Sequence, residues 1–526
     1  MVEADLFPSP YNSMNIFSQR TISYLALGAA GLGVLLIAVR GYYAISFSEP
    51  LQLVTSGAEY ESLFVIWKYI NGLTVYADHT RIPFAGSFYN WVYYFFYGEV
   101  TGAVLNLLSL GDNWLPTVTR LITATGAIYG AWIAARLFHE FSATGDVFLN
   151  RLGLALALLI FLGPLMGFFG IATQPDIWGF AFDVTAVYAF LRLYQRRPLS
   201  SVVLFCLFAY LAWGFKQIFV FSTGTVGLFL LLRRDWKMLG VLVVLSWTGW
   251  GATLGLGTAQ YVKTIVSFGG STVSFDAAQL SRNLSNLAVK FLPVILGLSG
   301  LLAAIILNGR GRPLVRDIIS NVTEKGQSPH FGLAVIGVLV TGILVLPASA
   351  KLGASESYYF MLTFFLSLLL LSGLAWVRKP NGWPTTVSLP LGMGWFLHGL
   401  AICLVFAGVT GVLSNRHTHI AVSQVRDCLV EKNLPQPLFI SDQYLSLPWM
   451  VPAEHHFVVQ TNYRWDKPGG IEMEGGGIGG LIDKGYFATI VLSGNTYDGS
   501  DLRRYRKLKE KCGAFSIFNR ISANDS

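Results

Sequence analysis

Charged residues are scarce in this sequence. They make up 13% of its 526 residues, which is about half the share that soluble globular proteins carry. Apolar residues make up 53%, and the mean hydropathy is +0.54. These values exclude a soluble enzyme, a disordered chain and a fibrous repeat. Cysteine is rare as well: there are four, and no Cys-x-x-Cys pair occurs, so a zinc cluster or a dithiol redox centre has no support.

The charge that is present is unevenly placed. The formal net charge is +8, from 37 basic and 29 acidic residues. Most basic residues lie in short segments between long apolar runs, as the positive-inside rule requires of cytoplasmic loops. The membrane therefore explains the basic composition, and we expect no nucleic acid among the partners.

Apolar runs of about 20 residues recur along the chain and predict a polytopic α-helical membrane protein with about eleven transmembrane helices. They are 21–39, 115–137, 149–170, 177–195, 199–215, 217–232, 238–257, 287–308, 330–348, 358–376 and 388–411. With the N-terminus in the cytoplasm, the basic clusters all fall on the cytoplasmic side. Counting the aromatic-rich run 84–110 as a further span would move them outside, so we interpret it as juxtamembrane or re-entrant. The membrane domain is then 1–411, with its first outer loop at 40–114.

The polar tail, residues 412–526, predicts a small α/β domain. An odd number of spans makes it extracytoplasmic. Helices are predicted at 418–432 and 501–511, and strands at 437–441, 456–460, 486–492 and 514–519. The glycine-rich run 475–480 formally matches a dinucleotide-binding pattern, but no convincing strand precedes it, which favours a loop.

Cys428 and Cys512 are the only cysteines of this tail. Because an extracytoplasmic domain folds in an oxidising compartment, we expect a disulfide between them. Two buried thiols are the alternative.

The first outer loop contains an amphipathic helix at 59–71, with an apolar residue at every third or fourth position. The pattern predicts a helix that lies flat in the membrane interface and ends at Asn71 and Gly72. Glu59 and Glu61 stand at its start. They are two residues apart, so on a helix they point about 200° apart and only one of them faces a given pocket.

Ionisable residues collect at the predicted outer ends of the spans. They are Glu59, Glu61, Asp176, Lys216, Lys351 and Glu356. Each one alone has a simpler explanation, such as a helix dipole for an acid or snorkelling for a lysine. Together they predict a functional site, because charges at membrane depth are costly. Lysines suit a lipid phosphate, and a carboxylate suits removal of a proton from an acceptor hydroxyl.

The order of these motifs resembles the GT-C superfamily of membrane glycosyltransferases, over residues 20–376. It is most similar to the bacterial branch that contains protein mannosyltransferases and the lipid A aminoarabinose transferase. The resemblance is carried by the acidic first outer loop, the tyrosine-rich segment 89–94, Arg120, Pro175 with Asp176, Lys216 with Gln217, and the segment 351–355.

The resemblance implies a hexosyl- or pentosyltransferase of the bacterial inner membrane. Its donor would be a polyprenyl-phosphate-linked sugar, and its acceptor a lipid, a glycan or a protein. Glu59 would act as the base, with Glu61 as the alternative, and Asp176 would assist. Lys216, Lys351 and Arg120 would bind the donor phosphate. No metal ligands are assigned, and the use of a divalent metal ion as cofactor is left open.

Two other functions stay open at this point. A transporter or flippase of a lipid-linked sugar would share the membrane domain and the lipid ligand, although the chain shows no internal repeat. A non-catalytic scaffold with the same architecture is the second, because Ser56 and Gly57 stand where many members of the superfamily carry aspartate.

Overall fold

The computed structural model describes residues 18–46, 59–140, 146–164, 166–267, 275–307, 316, 319–324, 329–351, 354–377, 385–414, 417–459, 463, 467 and 470–521. Within these ranges the chain forms a bundle of long apolar helices with a small α/β domain at one end. Ser56, Gly57 and part of the 40–114 loop lie outside the described residues.

The helices follow one another along the whole chain. They are α1 (Gln19–Ser46), α2 (Glu59–Ile70), α3 (Trp91–Leu107), α4 (Leu115–Glu140), α5 (Val147–Leu162), α6 (Asp176–Leu193), α7 (Pro198–Phe215), α8 (Phe221–Leu232), α9 (Trp236–Leu256), α10 (Ala259–Ser267), α11 (Ala277–Lys290), α12 (Leu292–Leu307), α13 (Pro329–Ser349), α14 (Phe360–Val377), α15 (Thr385–Ser414), α16 (His417–Glu431) and α17 (Gly477–Asp483). The strands are β1 (Leu438–Ile440), β2 (Thr489–Leu492), β3 (Tyr505–Cys512) and β4 (Phe515–Arg520).

Every predicted span coincides with a helix. In the described part of the chain, seven helices are long and apolar enough to cross a membrane, or eight if the bent pair α11 and α12 is one span. The pair turns by 79° at Phe291. The other three predicted spans correspond to α5 with 16 residues, α6 with 18 and α8 with 12. The protein is therefore a multi-pass helical membrane protein, and the total of eleven crossings stays a prediction.

Helix α2 has nearly the predicted bounds. It ends where Gly72 takes a positive φ of 68° and Leu73 N donates to Lys68 O at 2.8 Å, the geometry of a glycine-terminated helix. Its apolar stripe does not face lipid, because almost every side chain of α2 is buried within the protein, and its position in the membrane interface stays a prediction. Tyr60 and Phe64 pack on the C-terminal domain. Leu63, Val65 and Ile66 pack on α3, α4 and α7.

The C-terminal domain has a four-stranded mixed sheet in the order β1-β2-β4-β3. Strands β1 and β2 are parallel, with Ile440 opposite Val491, and the other pairs are antiparallel. Three of the predicted elements are present as α16, β1 and β4, and β2 lies within a fourth. The predicted boundary at residue 411 falls inside α15, which continues to Ser414.

Two predictions for this domain are wrong. Residues 501–511 were expected to be helical, but strand β3 covers 505–512 and forms a hairpin with β4. Gly513, with φ of 57°, makes the turn. The lysines of β3 lie on the edge of the sheet, where charge prevents pairing with other chains. The expected strand at 456–460 is absent from its described residues, 456–459.

Cys428 of α16 and Cys512 of β3 are joined by a disulfide, with a Cα–Cα distance of 5.7 Å. The bond connects the helix to the edge of the sheet. The glycine-rich run is a turn followed by the short helix α17, and it packs beside the first loop, where Glu474 N donates to Thr80 O at 2.8 Å.

Candidate functional site

Glu59 lies at the start of α2 and forms a fully buried ion pair with Arg120 of α4. Arg120 Nε donates to Glu59 Oε1 at 3.0 Å, and Arg120 Nη2 donates to Oε2 at 2.8 Å. Both side chains are 0% exposed. Arg120 Nη1 also donates to Ala44 O at the end of α1. Arg120 thereby ties α1, α2 and α4 together. A phosphate could contact Arg120 only by displacing Glu59.

The same carboxylate supports the segment that precedes Asp176. Thr173 N donates to Glu59 Oε1 at 2.9 Å. The hydroxyl of Thr173 donates to Thr119 Oγ1 at 2.7 Å, and the Tyr93 hydroxyl donates to Thr173 O at 3.2 Å. These bonds fix the backbone three residues before Asp176. Together with the two bonds from Arg120, the bond from Thr173 N engages both oxygens of Glu59.

Asp176 is the first residue of α6, where the helix dipole favours a negative charge. Its Oδ1 accepts from Lys216 Nζ at 2.6 Å, and Lys216 also donates to Ser357 Oγ at 3.2 Å. The carboxylate is 1% exposed and the lysine 14%. Asp176 Oδ2 is buried and has no hydrogen-bond partner within the described ranges. The site therefore offers a proton acceptor beside a cation that water can partly reach.

Aromatic rings enclose this pair. The Lys216 ammonium group lies 5.9 Å from the ring centre of Tyr89 and 5.6 Å from that of Tyr358, close enough for cation–π attraction. The Tyr89 hydroxyl donates to Gln174 Oε1 at 3.0 Å. Burial, followed by the charges of Asp176 and Glu61, raises the pKa of Tyr89 well above its usual value. Tyr89 thus stays a neutral donor.

Glu61 lies on another side of α2 from Glu59. It is buried, and its Oε1 accepts from the Tyr60 hydroxyl at 3.1 Å. The charge of Glu61 also helps to raise the pKa of Tyr89, so Glu61 lies on the side of α2 towards Tyr89. The two acids therefore have different surroundings, as their spacing on a helix requires.

Lys351 and Glu356 occupy different surroundings at the same end of the bundle. Lys351 is exposed and bridges Phe275 through its backbone. No hydrogen bond or ion pair joins it to Asp176 or Lys216 in the part of the chain that the structure describes. Glu356 forms an ion pair with Lys290 and directly precedes Ser357.

A cavity of about 280 Å³ lies beside Glu356. Arg40 of α1, Lys290 of α11 and His398 of α15 line it together with apolar side chains such as Leu36 and Ile402. With the cations Arg40 and Lys290 and the single carboxylate of Glu356, the cavity has a net positive charge. Sequence reasoning missed Arg40 and Lys290, because only the packing of α1 against α15 and the bend after α11 bring them together.

No three His, Cys, Asp or Glu side chains converge on a possible metal position among the described residues. Asp176 and Glu59 are each matched by a cation from the chain. The described side chains at this site therefore do not form a resident metal site.

These features define a class: a multi-pass helical membrane protein whose polar site lies at the end of the bundle that faces a small α/β domain.

No family model and no curated protein matches the chain. Solved structures similar to it include two of the oligosaccharyltransferase of Archaeoglobus fulgidus. The AglB complex with an inhibitory peptide and a dolichol-phosphate is 12% identical, with 89% of this chain and 69% of that chain covered and a TM-score of 0.49. A second structure, tethered with an acceptor peptide containing the NVT sequon, has 13% identity, the same coverage and a TM-score of 0.49.

Proposed function

We propose that this protein is a GT-C-like glycosyltransferase that moves a sugar from a polyprenyl-phosphate carrier to an acceptor at the extracytoplasmic face of a bacterial inner membrane. The observation that carries the proposal is the Asp176–Lys216 pair, with its unpartnered carboxylate oxygen. The cationic cavity beside it supports a lipid phosphate as ligand. A transferase of this kind needs a carboxylate that accepts the proton of the acceptor hydroxyl and cations that bind the donor phosphate.

The orientation follows from the basic clusters at the opposite ends of the same helices. Helix α6, for example, begins at Asp176 and is followed by Arg196 and Arg197. Cytoplasmic loops are rich in arginine and lysine. The Asp176 end, with the C-terminal domain, is then extracytoplasmic.

The donor phosphate would enter the cavity of Arg40 and Lys290, with the first carbons of its chain against Leu36 and Ile402. Lys216 lies next to Ser357, one residue from Glu356 of that cavity. This arrangement would put the sugar between the phosphate cavity and Asp176. Because Lys351 is exposed, it would contact the lipid only at the surface of the protein.

In the transfer, the acceptor oxygen forms a bond to the anomeric carbon while the bond from that carbon to the phosphate oxygen breaks. The electron pair stays on the phosphate, and the configuration of the sugar is inverted. Asp176 Oδ2 takes the proton of the acceptor hydroxyl. Once Asp176 is protonated, the charge of Lys216 is free to stabilise the leaving phosphate.

Glu59 takes a different role in this proposal from the one expected of it. Its two oxygens already accept hydrogen bonds from Arg120 and Thr173 N, so the carboxylate is held against these donors. We assign Glu59 and Arg120 to positioning of the Asp176 segment, and the base to Asp176.

The experiment is a transfer assay in nanodiscs with undecaprenyl-phosphate hexose and pentose as donors and a bacterial lipid, glycan or peptide fraction as acceptor. Asp176→Asn should lower turnover by ~10²–10⁴-fold, the usual contribution of a positioned base. Asp146→Asn is the matched control. Asp146 caps α5 at the other end of the bundle, and asparagine caps a helix equally well.

Equal turnover in wild type and Asp176→Asn would contradict the assignment of the base. If the wild type in sealed liposomes moves the labelled donor across the bilayer but leaves its sugar–phosphate bond intact, the protein is a transporter.

A further inference from the structure

A second cavity, of about 670 Å³, has no role in the chemistry above. Its walls come from the first loop and from α7, α9 and α10. They include Tyr76, Trp91, Tyr210, Thr253, Leu256 and Tyr261. No charged side chain of the described residues lines it.

The polar atoms of these tyrosines are already engaged. The Tyr76 hydroxyl donates to Tyr89 O at 2.9 Å, and Tyr210 and Thr253 share a hydrogen bond of 2.6 Å. The Tyr261 hydroxyl donates to Asn90 Oδ1. What the cavity presents to a ligand is therefore aromatic and aliphatic surface.

The cavity is continuous with the surface that faces lipid. Helix α9 is a candidate span with exposed apolar side chains along most of its length, including Val244, Trp247 and Leu256. Leu256 belongs both to that surface and to the cavity wall. A molecule could therefore enter from the membrane without passing through water.

A chain of contacts connects the wall of the cavity with the reacting groups. Tyr76 bonds to Tyr89, and Tyr89 bonds to Gln174 and lies against Lys216. Contacts through Tyr76, Tyr89 and Lys216 thus connect the cavity wall with Asp176. The donor phosphate is better matched by the other cavity, because Arg40 and Lys290 line it, whereas no described cation lines this one.

We propose that this aromatic cavity binds the hydrocarbon part of the acceptor, so that the acceptor is a membrane lipid. The inference rests on the proposed glycosyltransferase function and adds the class of acceptor to it. The lipid would place its hydroxyl near Asp176 while its chains lie between Tyr76, Tyr210 and Tyr261 and extend along α9 into the bilayer.

Ala252→Phe tests this proposal by filling the cavity. Ala252 lines the cavity and is exposed, so the larger side chain fits without disturbing the core. Val244→Phe is the control, since it adds a ring to an exposed position of the same helix that does not line the cavity. Size-exclusion chromatography checks that both variants fold.

The probe is phosphatidylglycerol with a diazirine in its acyl chain, in liposomes of phosphatidylethanolamine and phosphatidylglycerol. Photolabelling of peptides that contain Tyr210 or Tyr261 should fall by about tenfold in Ala252→Phe, equivalent to losing ~1.4 kcal/mol of binding, and stay unchanged in Val244→Phe. Equal labelling in all three proteins would overturn the proposal. Displacement of the label by sugar-free undecaprenyl phosphate would also overturn it, since the cavity would then hold the donor chain.

Acceptor fractions give the second readout. Transferred label should appear in the lipid fraction. Ala252→Phe should raise the KM for that fraction about tenfold, whereas Val244→Phe should leave this KM as in wild type. Label in a peptide or in a water-soluble glycan would overturn the lipid assignment. A wild-type protein that does not transfer the sugar defeats the proposed function itself, and the photolabelling result is still read separately.

Discussion

Glu59 and Arg120 are joined by two hydrogen bonds in a fully buried place. Removing one partner leaves the other as an uncompensated charge, which typically costs ~3–5 kcal/mol. Glu59→Gln should therefore lower the thermal unfolding midpoint in detergent clearly. Glu431→Gln, at an exposed position of α16, is the control and should change little.

A double variant measures how strongly Glu59 and Arg120 depend on each other for stability. Because Glu59→Gln strands the charge of Arg120, Glu59→Gln combined with Arg120→Met should be less destabilised than the sum of the single changes. A Glu59→Gln protein that is as stable as wild type but inactive would speak for Glu59 as the base and against Asp176.

Lys68 of α2 provides a test by pH. Burial lowers the pKa of Lys68 to about 8, whereas an unfolded lysine has a pKa of ~10.4. Between these values the unfolded chain binds a proton that the folded protein does not, so stability rises with pH. Lys68 should contribute roughly 2 kcal/mol to this rise between about pH 8 and 10.

Unfolding midpoints measured across this range in wild type and Lys68→Met give that contribution as a difference. The rise should be missing in Lys68→Met and present in Lys237→Met, which changes an exposed lysine. Parallel curves for wild type and Lys68→Met would show that Lys68 stays protonated when folded.

At the scale of residues, sequence reasoning found most members of the site but not their pairing. The partners Asp176 and Lys216 are 40 positions apart, and Glu59 and Arg120 are 61 apart. Which acid meets which base depends on how α2, α4, α6 and α7 pack, and the hydropathy pattern contains no such information.

At the scale of elements, the disulfide between α16 and β3 closes a separation of 84 residues. In the chain-entropy model a loop of this size contributes about 4 kcal/mol. Cys428→Ser with Cys512→Ser should make the C-terminal domain markedly more sensitive to limited proteolysis, as followed by mass spectrometry. Cys403→Ser, which removes a free cysteine, should leave the pattern unchanged. An unchanged pattern in the double variant would show that the sheet is stable without the bond.

The elements that sequence reasoning predicted best are those with a strong local signal. Apolar length marks the bundle helices, and the stripe of α2 together with Gly72 marks its bounds. Strand β3 has no such signal, because its run of lysines and arginines suits a helix surface as well as a sheet edge. Its pairing with β4 decides the outcome. In the same way, the burial of α2 depends on a domain more than 350 residues further along the chain.

At the scale of the whole molecule, the proposed orientation predicts the sides of both ends of the bundle. An alkaline phosphatase fusion after Ser414 should be active and a green fluorescent protein fusion there should be dark, because only the periplasm supports the first and only the cytoplasm the second. Fusions after Arg197 should give the opposite result. Fluorescence after Ser414 would move Asp176 to the cytoplasmic face and remove the extracytoplasmic reaction.

In this mechanism the Asp176–Lys216 pair promotes transfer of a sugar whose lipid phosphate is held by Arg40 and Lys290. An electron cryo-microscopy map of the protein in nanodiscs with undecaprenyl phosphate tests it most directly. The account predicts phosphate density in the cavity of Arg40 and Lys290, with the lipid chain leaving between α1 and α15. Phosphate density beside Lys351 and away from Asp176, or at the end of the bundle that carries Arg196 and Arg197, would contradict it.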